Sequence, residues 1–192
     1  MPVLTWPQDA ALLLGHIHAG RVFACPTEAV FGLSGHAGRA DALQAILDLK
    51  QGRAAAQGVL LVAGSAEVAQ GYVAGISKRD WQAMAEAQKM RATTFLLPAG
   101  DKVAKGAIVD GKVALRLTHH PLLAAVSNAV GAPLFSTSAN PHGLPPARSA
   151  EEVLQYFPEH DFPALCVLDG ALGGEEKPSR IVDWASGVVI RD

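Results

Sequence analysis

The feature that most restricts the fold is the alternation of short apolar runs with stretches whose apolar residues recur at helical spacing. Helical spacing runs through residues 7–20 and again through residues 39–50, whereas residues 59–63 form a continuous apolar run typical of a strand covered on both faces. Parallel neighbouring strands need crossover connections, and helices usually supply them. The pattern therefore predicts an α/β sandwich with strands that are at least partly parallel.

The rest of the chain continues this alternation. Further strands are predicted at 22–25, 93–97, 113–117, 134–137, 165–168, 180–183 and 188–191, with a helix at 122–130. Ser77 with Asp80, and Ser149 with Glu152, have the spacing of capping boxes that start two more helices. The close spacing of the last strands favours a mixed sheet, so we predict a single domain over residues 1–192, a twisted mixed sheet flanked by helices.

Composition excludes several classes of protein. The formal net charge of −2 and the pI near 6.4 give no global field that would attract polyanions, which argues against a dedicated nucleic-acid binder. No apolar run is long enough to cross a bilayer, and the N-terminal sequence lacks a secretory pattern, so a cytoplasmic protein without membrane association is expected. Cys25 and Cys166 lack CxxC spacing and are expected to be reduced, with Cys25 a small buried side chain.

One segment matches the motif of a phosphate-binding loop, but the sequence around it does not fit such a loop. Residues 106–112 fit GxxxxGK, but the position of the magnesium-binding hydroxyl holds Val113, and the sequence that follows alternates like a strand. Asp110 and Gly111 form a dipeptide common in tight hairpin turns. A hairpin is therefore the preferred interpretation. His119 and His120, which precede a predicted helix, are expected to cap it or to lie exposed rather than to bind metal.

Polar side chains follow two of the predicted strands. Residues 136–140, STSAN, place hydroxyl and amide groups where a strand ends, and ligands on such sheets usually bind at the carboxyl ends of strands. Residues 26–28, PTE, also leave a strand. The alternative for both segments is a turn closed by its own side chains, which is evenly balanced for 136–140 and favoured for 26–28. Lys50, Arg53 and Arg116 are either phosphate ligands or solvated charges.

Five segments together resemble the YrdC/TsaC family of L-threonylcarbamoyladenylate synthases. They are PTEAVFGL at 26–33, LK at 49–50, ALRLTHHP at 114–121, STSAN at 136–140 and PSRIVD at 178–183, in the family's order and across most of the chain. The resemblance implies a YrdC-like (DHBP synthase-like) fold. It also implies ATP-dependent synthesis of threonylcarbamoyl-AMP from L-threonine, bicarbonate and ATP, with Mg²⁺ accompanying ATP and with pyrophosphate released. Other proteins of the threonylcarbamoyladenosine pathway would carry the product to tRNA, which makes tRNA an indirect partner.

The same resemblance implies a role for each matching residue. Lys50 and Arg53 would be catalytic and hold phosphates; Thr27, Phe31 and Arg116 would bind threonine; and Ser136, Ser138, Asn140, Arg148 and Ser179 would bind the nucleotide. The ligands of the Mg²⁺ ion are left open. The carbamate of threonine is a modest nucleophile that must approach the α-phosphorus in line, so positioning and charge neutralisation suffice without a protein nucleophile.

Two departures from the family pattern motivate alternatives. The family's KxR reads KQGR here, which places Arg53 one residue late, and its W-PGP-x-T segment is represented by residues 89–94 without proline or glycine, so a rigid turn is expected to be lost there. One alternative is a YrdC-like nucleotide- or RNA-binding protein with weak or altered activity. Another is a related carbamoyl-adenylate enzyme with a different acceptor or carbamoyl donor.

Overall fold

The protein was analysed as a computed structural model that describes residues 1–50 and 59–192. Its strands are β1 (Val3–Leu4), β2 (Phe23–Pro26), β3 (Phe31–His36), β4 (Leu60–Ala63), β5 (Thr93–Pro98), β6 (Lys112–Leu117), β7 (Leu134–Ser138), β8 (Cys166–Leu168), β9 (Arg180–Asp183) and β10 (Val189–Arg191). Its helices are α1 (Ala10–His18), α2 (Ala40–Leu49), α3 (Ala66–Ala69), α4 (Lys78–Met90), α5 (Pro121–Val130) and α6 (Ala150–Tyr156), with a 3₁₀ turn at Lys105–Ala107.

All of these strands belong to one sheet with the order β1-β8-β2-β3-β7-β4-β6-β5-β9-β10. Strands β4 and β6 pair in parallel, as do β5 and β9, whereas β3 pairs antiparallel with β2 and β7. The predicted mixed α/β sheet with flanking helices is therefore confirmed. The assignment of residues 1–192 to one domain stays a prediction.

Strand β3 was not predicted from the sequence. Its residues, FGLSGH, include two glycines, which hide the alternation of apolar and polar side chains that a half-buried strand usually shows. In the fold β3 lies between β2 and β7, where Gly32 pairs with Cys25 on one side and with Ser138 on the other. This position brings the turn that follows β2 next to the end of β7.

The two faces of the central strands differ in character. Ser136 and Ser138 of β7 share one face because residues two apart in a strand point the same way, and Phe135 points to the opposite face, where it is fully buried. Ser136 pairs with Leu60 of β4, and Val62, two residues on, pairs with Arg116 of β6. Arg116 therefore lies on the same face as the two serines, so the centre of the sheet has a polar face and an apolar one.

The helix caps follow the predicted pairs with one difference. Ser77 and Asp80 form a complete capping box, in which the Asp80 amide donates to Ser77 Oγ at 3.2 Å and the Ser77 amide donates to Asp80 Oδ2 at 2.9 Å. Ser149 Oγ accepts from the amide of Glu152, as predicted. The Glu152 carboxylate, however, accepts from the amide of Arg148 rather than from Ser149, so the second capping box is only half formed.

The hairpin interpretation of residues 106–113 is confirmed. Asp110 and Gly111 have φ angles of 50° and 73°, the combination that a type I′ turn requires. The flanking residues Val109 and Lys112 exchange two backbone hydrogen bonds, each 2.9 Å long. Strand β6 begins at Lys112, where a phosphate loop would need a helix.

The predictions for cysteine and for membrane association have different outcomes. Cys25 and Cys166 are both free, as expected, and Cys25 is buried, as expected; Cys166 is buried as well. Burial raises the pKa of each thiol to about 12. In the two described ranges no helix is long and apolar enough to cross a membrane. The cytoplasmic location stays a prediction.

Candidate functional site

A cavity of about 550 Å³ opens on the polar face at the centre of the sheet. We call it the Arg116 cavity, and its walls come from β3, β4, β6 and β7, from the turn after β2 and from the segments around residues 146–148 and 176–179. Six of the predicted site residues line it: Thr27, Arg116, Ser136, Ser138, Arg148 and Ser179. Segments distant in the sequence thus meet at one cavity.

The walls of the Arg116 cavity carry more positive than negative charge. The charged side chains among its lining residues are the basic Arg116, Arg148, Lys177 and Arg191 and the acidic Glu28 and Glu176. Basic side chains together with hydroxyl groups suit a ligand with phosphate or carboxylate oxygens. The cavity is therefore chemically matched to an anionic or zwitterionic ligand, although the net charge of the whole chain is negative.

Arg116 and Glu28 form a buried ion pair in this wall. Arg116 Nη2 lies 2.8 Å from Glu28 Oε2, and both residues are less than 9% exposed. Burial lowers the pKa of Arg116, while the carboxylates of Glu28 and Glu175 oppose that shift. The Nε atom of Arg116 is buried without a hydrogen-bond partner among the described residues, so the guanidinium retains donor capacity for a ligand.

Glycine keeps the floor of the cavity open. A Cβ atom built on Gly32 would lie 3.2 Å from Ser136 Oγ and 3.2 Å from Thr27 Cγ2. Those distances are shorter than ordinary van der Waals contacts, so a side chain at this position would press on both walls. Ser136 itself is buried and Ser138 is half-buried, which places two hydroxyl groups beside the glycine.

Thr27 lines the cavity, but its hydroxyl is already used in the turn. Oγ1 donates to the carbonyl of Val30 at 2.7 Å, and the amide of Thr27 donates to the same carbonyl at 3.0 Å. This is the capped turn that the residues alone favoured. Because the hydroxyl hydrogen is committed, Thr27 offers a ligand its methyl group and an oxygen that can only accept.

Lys50 lies behind the cavity rather than in its lining. It is 4% exposed, and its ammonium donates to the carbonyl of Ser138 at 2.9 Å, to the carbonyl of Asn140 at 2.7 Å and to Asn140 Oδ1 at 2.8 Å. Ser138 Oγ also donates to Asn140 Oδ1 at 2.6 Å. Lys50 and Asn140 therefore hold the end of β7, and the roles predicted for them, phosphate binding and nucleotide binding, stay predictions. Arg53 lies outside the described residues.

Phe31 does not lie in the wall of the cavity. It is 1% exposed and belongs to the hydrophobic core. Gly32 faces the cavity, and neighbouring residues of a strand point to opposite faces, so Phe31 must point away from it. Phe31 is therefore not among the residues that line the cavity, and its predicted role in threonine binding stays a prediction.

Sequence reasoning missed several lining residues. Arg191, in β10, donates from Nη2 to the carbonyl of Ser179 at 2.7 Å and from Nε to the same atom at 3.2 Å. Ser179 Oγ in turn lies 2.8 Å from Thr94 Oγ1. The available signal was the pair of strands predicted at 180–183 and 188–191, because an antiparallel pair would bring Arg191 back beside Ser179. Lys177 and Glu176 had no signal beyond their position next to PSRIVD.

The segment that lacks the family's proline and glycine is held in another way. Gln88 is buried at the end of α4, where its amide nitrogen donates to the carbonyl of Thr93 and its amide oxygen accepts from the amide of Thr93 at 3.0 Å. The side chain of Gln88 thus pairs with the backbone where β5 begins. The chain reversal next to Ala92, which lines the cavity, is therefore braced even though the expected turn residues are missing.

A second cavity, of about 650 Å³, lies beyond the ends of β4 and β6. We call it the Trp81 cavity; its lining residues are Gly64, Ser65, Ala66, Glu67, Gln70, Ile76, Lys78, Trp81, Gln82, Ala85, Leu117, Thr118 and His119. None of the predicted site residues is among them. Its charged side chains, Glu67 and Lys78, are both exposed. The neighbouring His120 caps α5, as predicted, by accepting from the amide of Leu123.

The described residues include no group of three or more histidine, cysteine, aspartate or glutamate side chains arranged to hold a metal ion. Magnesium commonly binds through substrate phosphates while keeping several waters, and it does not require a dedicated protein cage. Binding of Mg²⁺ together with ATP therefore stays a prediction, and it requires that the phosphates of ATP occupy the cavity.

Comparisons with known proteins show the family to which this chain belongs. A family model described as "Telomere recombination", for the Sua5, YciO and YrdC proteins, matches residues 16–192. The threonylcarbamoyl-AMP synthase of Dichelobacter nodosus (strain VCS1703A) is 48% identical over 186 residues, covering 96% of this chain and 95% of that protein. The protein of the same name from Vibrio parahaemolyticus serotype O3:K6 (strain RIMD 2210633) is 38% identical over 183 residues, covering 93% and 96%.

Solved structures share the fold. Sua5 of P. abyssi complexed with L-threonine superposes with a TM-score of 0.71 at 25% identity, covering 95% of this chain and 53% of that chain. The present chain thus spans about half the length of that Sua5. YciO of E. coli superposes with a TM-score of 0.76 at 18% identity, covering 100% of this chain and 92% of that chain, a likeness of fold alone.

Proposed function

Because the chain belongs to the Sua5/YciO/YrdC family, we propose that it makes threonylcarbamoyl-AMP from L-threonine, bicarbonate and ATP and releases pyrophosphate. The curated relatives with this activity in their names match the chain over nearly its whole length. Bicarbonate and ATP as co-substrates, and Mg²⁺ bound to the phosphates, are part of the proposal.

The observation that carries the proposal is the buried guanidinium of Arg116 in a cavity that also holds the hydroxyls of Ser136 and Ser138. A guanidinium with unused donors fits a carboxylate in a bidentate way. P. abyssi Sua5, whose structure contains L-threonine, is 25% identical to this chain over the aligned region and has the same fold there. We therefore assign the carboxylate of threonine to Arg116.

The reaction needs positioning more than a reactive side chain. The ammonium of threonine gives up a proton, and bicarbonate takes up a proton to become CO₂ and water. The neutral amine then adds to the carbon of CO₂ and releases its second proton to solvent, which gives a carbamate. A carbamate oxygen then bonds to the α-phosphorus of ATP while the bond from that phosphorus to pyrophosphate breaks. Holding the three reactants in line and neutralising the developing charge can supply much of the rate enhancement.

We assign the remaining basic residues of the cavity to the nucleotide. Arg148, Lys177 and Arg191 lie on its exposed rim, where they can meet the phosphates of ATP. The hydroxyl of Ser136 is placed to donate to a ligand oxygen, whereas the hydroxyl of Ser138 already donates to Asn140 Oδ1 and the hydroxyl of Ser179 pairs with that of Thr94. Ser138 therefore offers a ligand an oxygen that accepts. Lys50 and Asn140 act from behind the wall, because they fix the backbone at the end of β7. Bound Mg²⁺ would supply further neutralisation of the phosphates.

The product is a reactive mixed anhydride that a further enzyme must consume. We propose that other proteins of the threonylcarbamoyladenosine pathway transfer its threonylcarbamoyl group to an adenosine of tRNA. Under this proposal tRNA is an indirect partner of this chain. The modest negative charge of the whole chain agrees with that arrangement, because direct binding of tRNA would favour a basic surface.

Pyrophosphate release tests the activity. The purified chain is incubated with Mg-ATP, bicarbonate and L-threonine, and each of the last two is omitted in turn. We expect release only when both are present, with threonylcarbamoyl-AMP formed in equal amount by mass spectrometry. Release that is independent of threonine, or nucleotide binding without any release, would reject the synthase and favour the nucleotide-binding alternative.

A further inference from the structure

Glu28 is a carboxylate in a cavity that is otherwise suited to anions. It lines the Arg116 cavity beside the residue assigned to the threonine carboxylate, where a second negative charge opposes binding by Coulomb repulsion. Burying a charged side chain is also unfavourable unless the charge is paired. A role for Glu28 must therefore come from what its carboxylate does to its neighbours.

The carboxylate of Glu28 is held by a hydrogen bond at one oxygen and by an ion pair at the other. Oε1 accepts from the hydroxyl of Thr118 at 2.7 Å. Oε2 lies 2.8 Å from Arg116 Nη2, but this ion pair lacks hydrogen-bond geometry, so Oε2 has no hydrogen-bond partner among the described residues. Thr118 Oγ1 is itself held, since it accepts from the amide of His120 at 3.1 Å. Thr118 and His120 are both buried, so this chain of contacts is shielded from water and retains its strength.

The backbone around Glu28 is fixed as well. The carbonyl of Glu28 accepts from the amide of Glu175 at 2.9 Å, and the carbonyl of Thr27 accepts from the amide of Gly173 at 3.0 Å. The segment that includes Gly173 therefore lies across the turn and leaves Glu28 little freedom to move. A carboxylate held in this way can set the orientation of the guanidinium beside it.

We propose that Glu28 is a positioning residue for recognition of the amino acid. Held by Thr118, its carboxylate occupies Nη2 of Arg116 and orients the guanidinium so that the other N–H donors face the carboxylate of threonine. This inference rests on the proposed function, since it assumes that Arg116 binds threonine. It predicts that damage to Glu28 appears as loss of threonine affinity, with little change in the use of ATP.

The experiment compares Glu28→Gln and Thr118→Val with two controls. Thr118→Val keeps the shape of the side chain but removes the hydroxyl, whereas the control Thr118→Ser keeps the hydroxyl and removes the methyl group. Glu86→Gln makes the same chemical change as Glu28→Gln at an exposed residue of α4. The readouts are threonine Kd by calorimetry, KM for threonine and for ATP, kcat, and the midpoint of chemical unfolding.

Loss of one charge-assisted contact typically weakens binding by about 10- to 100-fold, so we expect that increase in threonine Kd and KM for Glu28→Gln. KM for ATP should change by less than about threefold, because the phosphate-facing residues are untouched. Thr118→Val should weaken threonine binding about three- to tenfold, while Thr118→Ser and Glu86→Gln stay within about twofold. If Glu28→Gln does not fold, the comparison of Thr118→Val with Thr118→Ser tests the proposal in its place.

A double-mutant cycle separates positioning from simple stabilisation. If Glu28 acts through Arg116, Glu28→Gln should weaken threonine binding far less in an Arg116→Lys background than in the wild type. The proposal is overturned by equal effects in the two backgrounds, by a fall in kcat with both KM values unchanged, or by threonine affinity that survives Thr118→Val and Glu28→Gln. If the wild type binds threonine but releases no pyrophosphate, the proposed synthase activity is rejected, and the threonine Kd values still test the role of Glu28. If the wild type binds no threonine, the proposed activity and the proposed role of Glu28 are both rejected.

Discussion

The Arg116 cavity and the Trp81 cavity are similar in volume, about 550 and 650 Å³, and they flank the same parallel strands, β4 and β6. They meet at Thr118, which lines the Trp81 cavity and donates its hydroxyl to Glu28 in the wall of the other. Their charges differ. The Arg116 cavity has a buried ion pair and further basic side chains at its rim, whereas Glu67 and Lys78 of the Trp81 cavity are exposed.

This difference shows that volume is a poor guide to function in this molecule. An exposed lysine or glutamate costs little free energy to maintain, while a buried charge must be compensated by a partner held in place. Packing of the fold does not by itself require a buried ion pair in the wall of a cavity. Buried charges, rather than space, therefore identify the Arg116 cavity as the candidate site.

Removal of Arg116 should have the largest effect. Arg116→Met leaves Glu28 buried without its partner, which destabilises the fold by about 3–5 kcal/mol, and it removes the group assigned to the threonine carboxylate. We expect threonine-dependent pyrophosphate release to fall by about 100-fold or more. Denaturant unfolding and steady-state assays measure the two effects.

The matched control for that experiment is Lys78→Met in the Trp81 cavity. Lys78 is an exposed positive charge in the first turn of α4, where the helix dipole disfavours it, so its loss should leave stability unchanged or slightly raised. Activity should also be unchanged. Equal losses of activity from the two substitutions would break the contrast between the cavities.

The next largest difference is expected between substitutions that add bulk to one cavity or to the other. Gly32→Val adds atoms between Ser136 and Thr27, where even a Cβ would lie 3.2 Å from each, and should raise KM for threonine about tenfold or more. Ala85→Val adds the same kind of bulk to the wall of the Trp81 cavity and should leave both KM values within about twofold. If Ala85→Val were the more damaging change, the site would have been assigned to the wrong cavity.

A smaller effect is expected from the segment that lies over Glu28. A Cβ on Gly173 would lie 2.8 Å from the Cα of Glu28, so Gly173→Ala must displace the segment and weaken its hydrogen bonds to the turn at Thr27. We expect catalytic efficiency to fall about fivefold, because small displacements at a site are costly. Gly15→Ala, where a Cβ meets no atom within 4 Å, should leave kinetics unchanged and slightly stabilise α1.

The smallest predicted effect tests the brace beneath Ala92. Gln88→Ala leaves the amide and carbonyl of Thr93 without their buried partner and should lower the free energy of unfolding by about 1–3 kcal/mol, with only a modest loss of activity. Gln82→Ala, at an exposed residue lining the Trp81 cavity, should change stability by less than about 0.5 kcal/mol. Denaturant unfolding decides between them, and an unchanged Gln88→Ala would show that the reversal holds without the side chain.

Local patterns predicted most of the fold. The apolar periodicity of α1 and α2, the capping pair at Ser77 and Asp80, and the hairpin at Asp110 and Gly111 are set by neighbouring residues, and all appear in the structure. Strand β3 was not predicted, because its two glycines have no side chains that could show the apolar–polar alternation of a strand. Its pairing with β2 is local, but its pairing with β7 joins residues about one hundred positions apart, and no short stretch of sequence indicates a contact of that range.

The site was predictable where polar residues cluster and unpredictable where they act at a distance. Ser136 and Ser138 could be expected at the site because they lie at the end of a strand, but nothing near Lys50 indicates that its ammonium would hold the carbonyls of Ser138 and Asn140. The direction of Phe31 followed from the unpredicted strand β3. Glu28 belonged to a recognised segment, yet its function became apparent only when Arg116 and Thr118 were found around it.

The residues that line the Arg116 cavity range from Thr27 to Arg191, a stretch of chain that includes nearly every element of the fold. During synthesis on the ribosome its first wall is made long before its last, so a shortened chain, however well packed, would lack the arginine that holds Ser179. Recovery of catalysis after dilution from denaturant should consequently lag behind recovery of helical signal, which makes enzymatic assay a sensitive reporter of completed assembly.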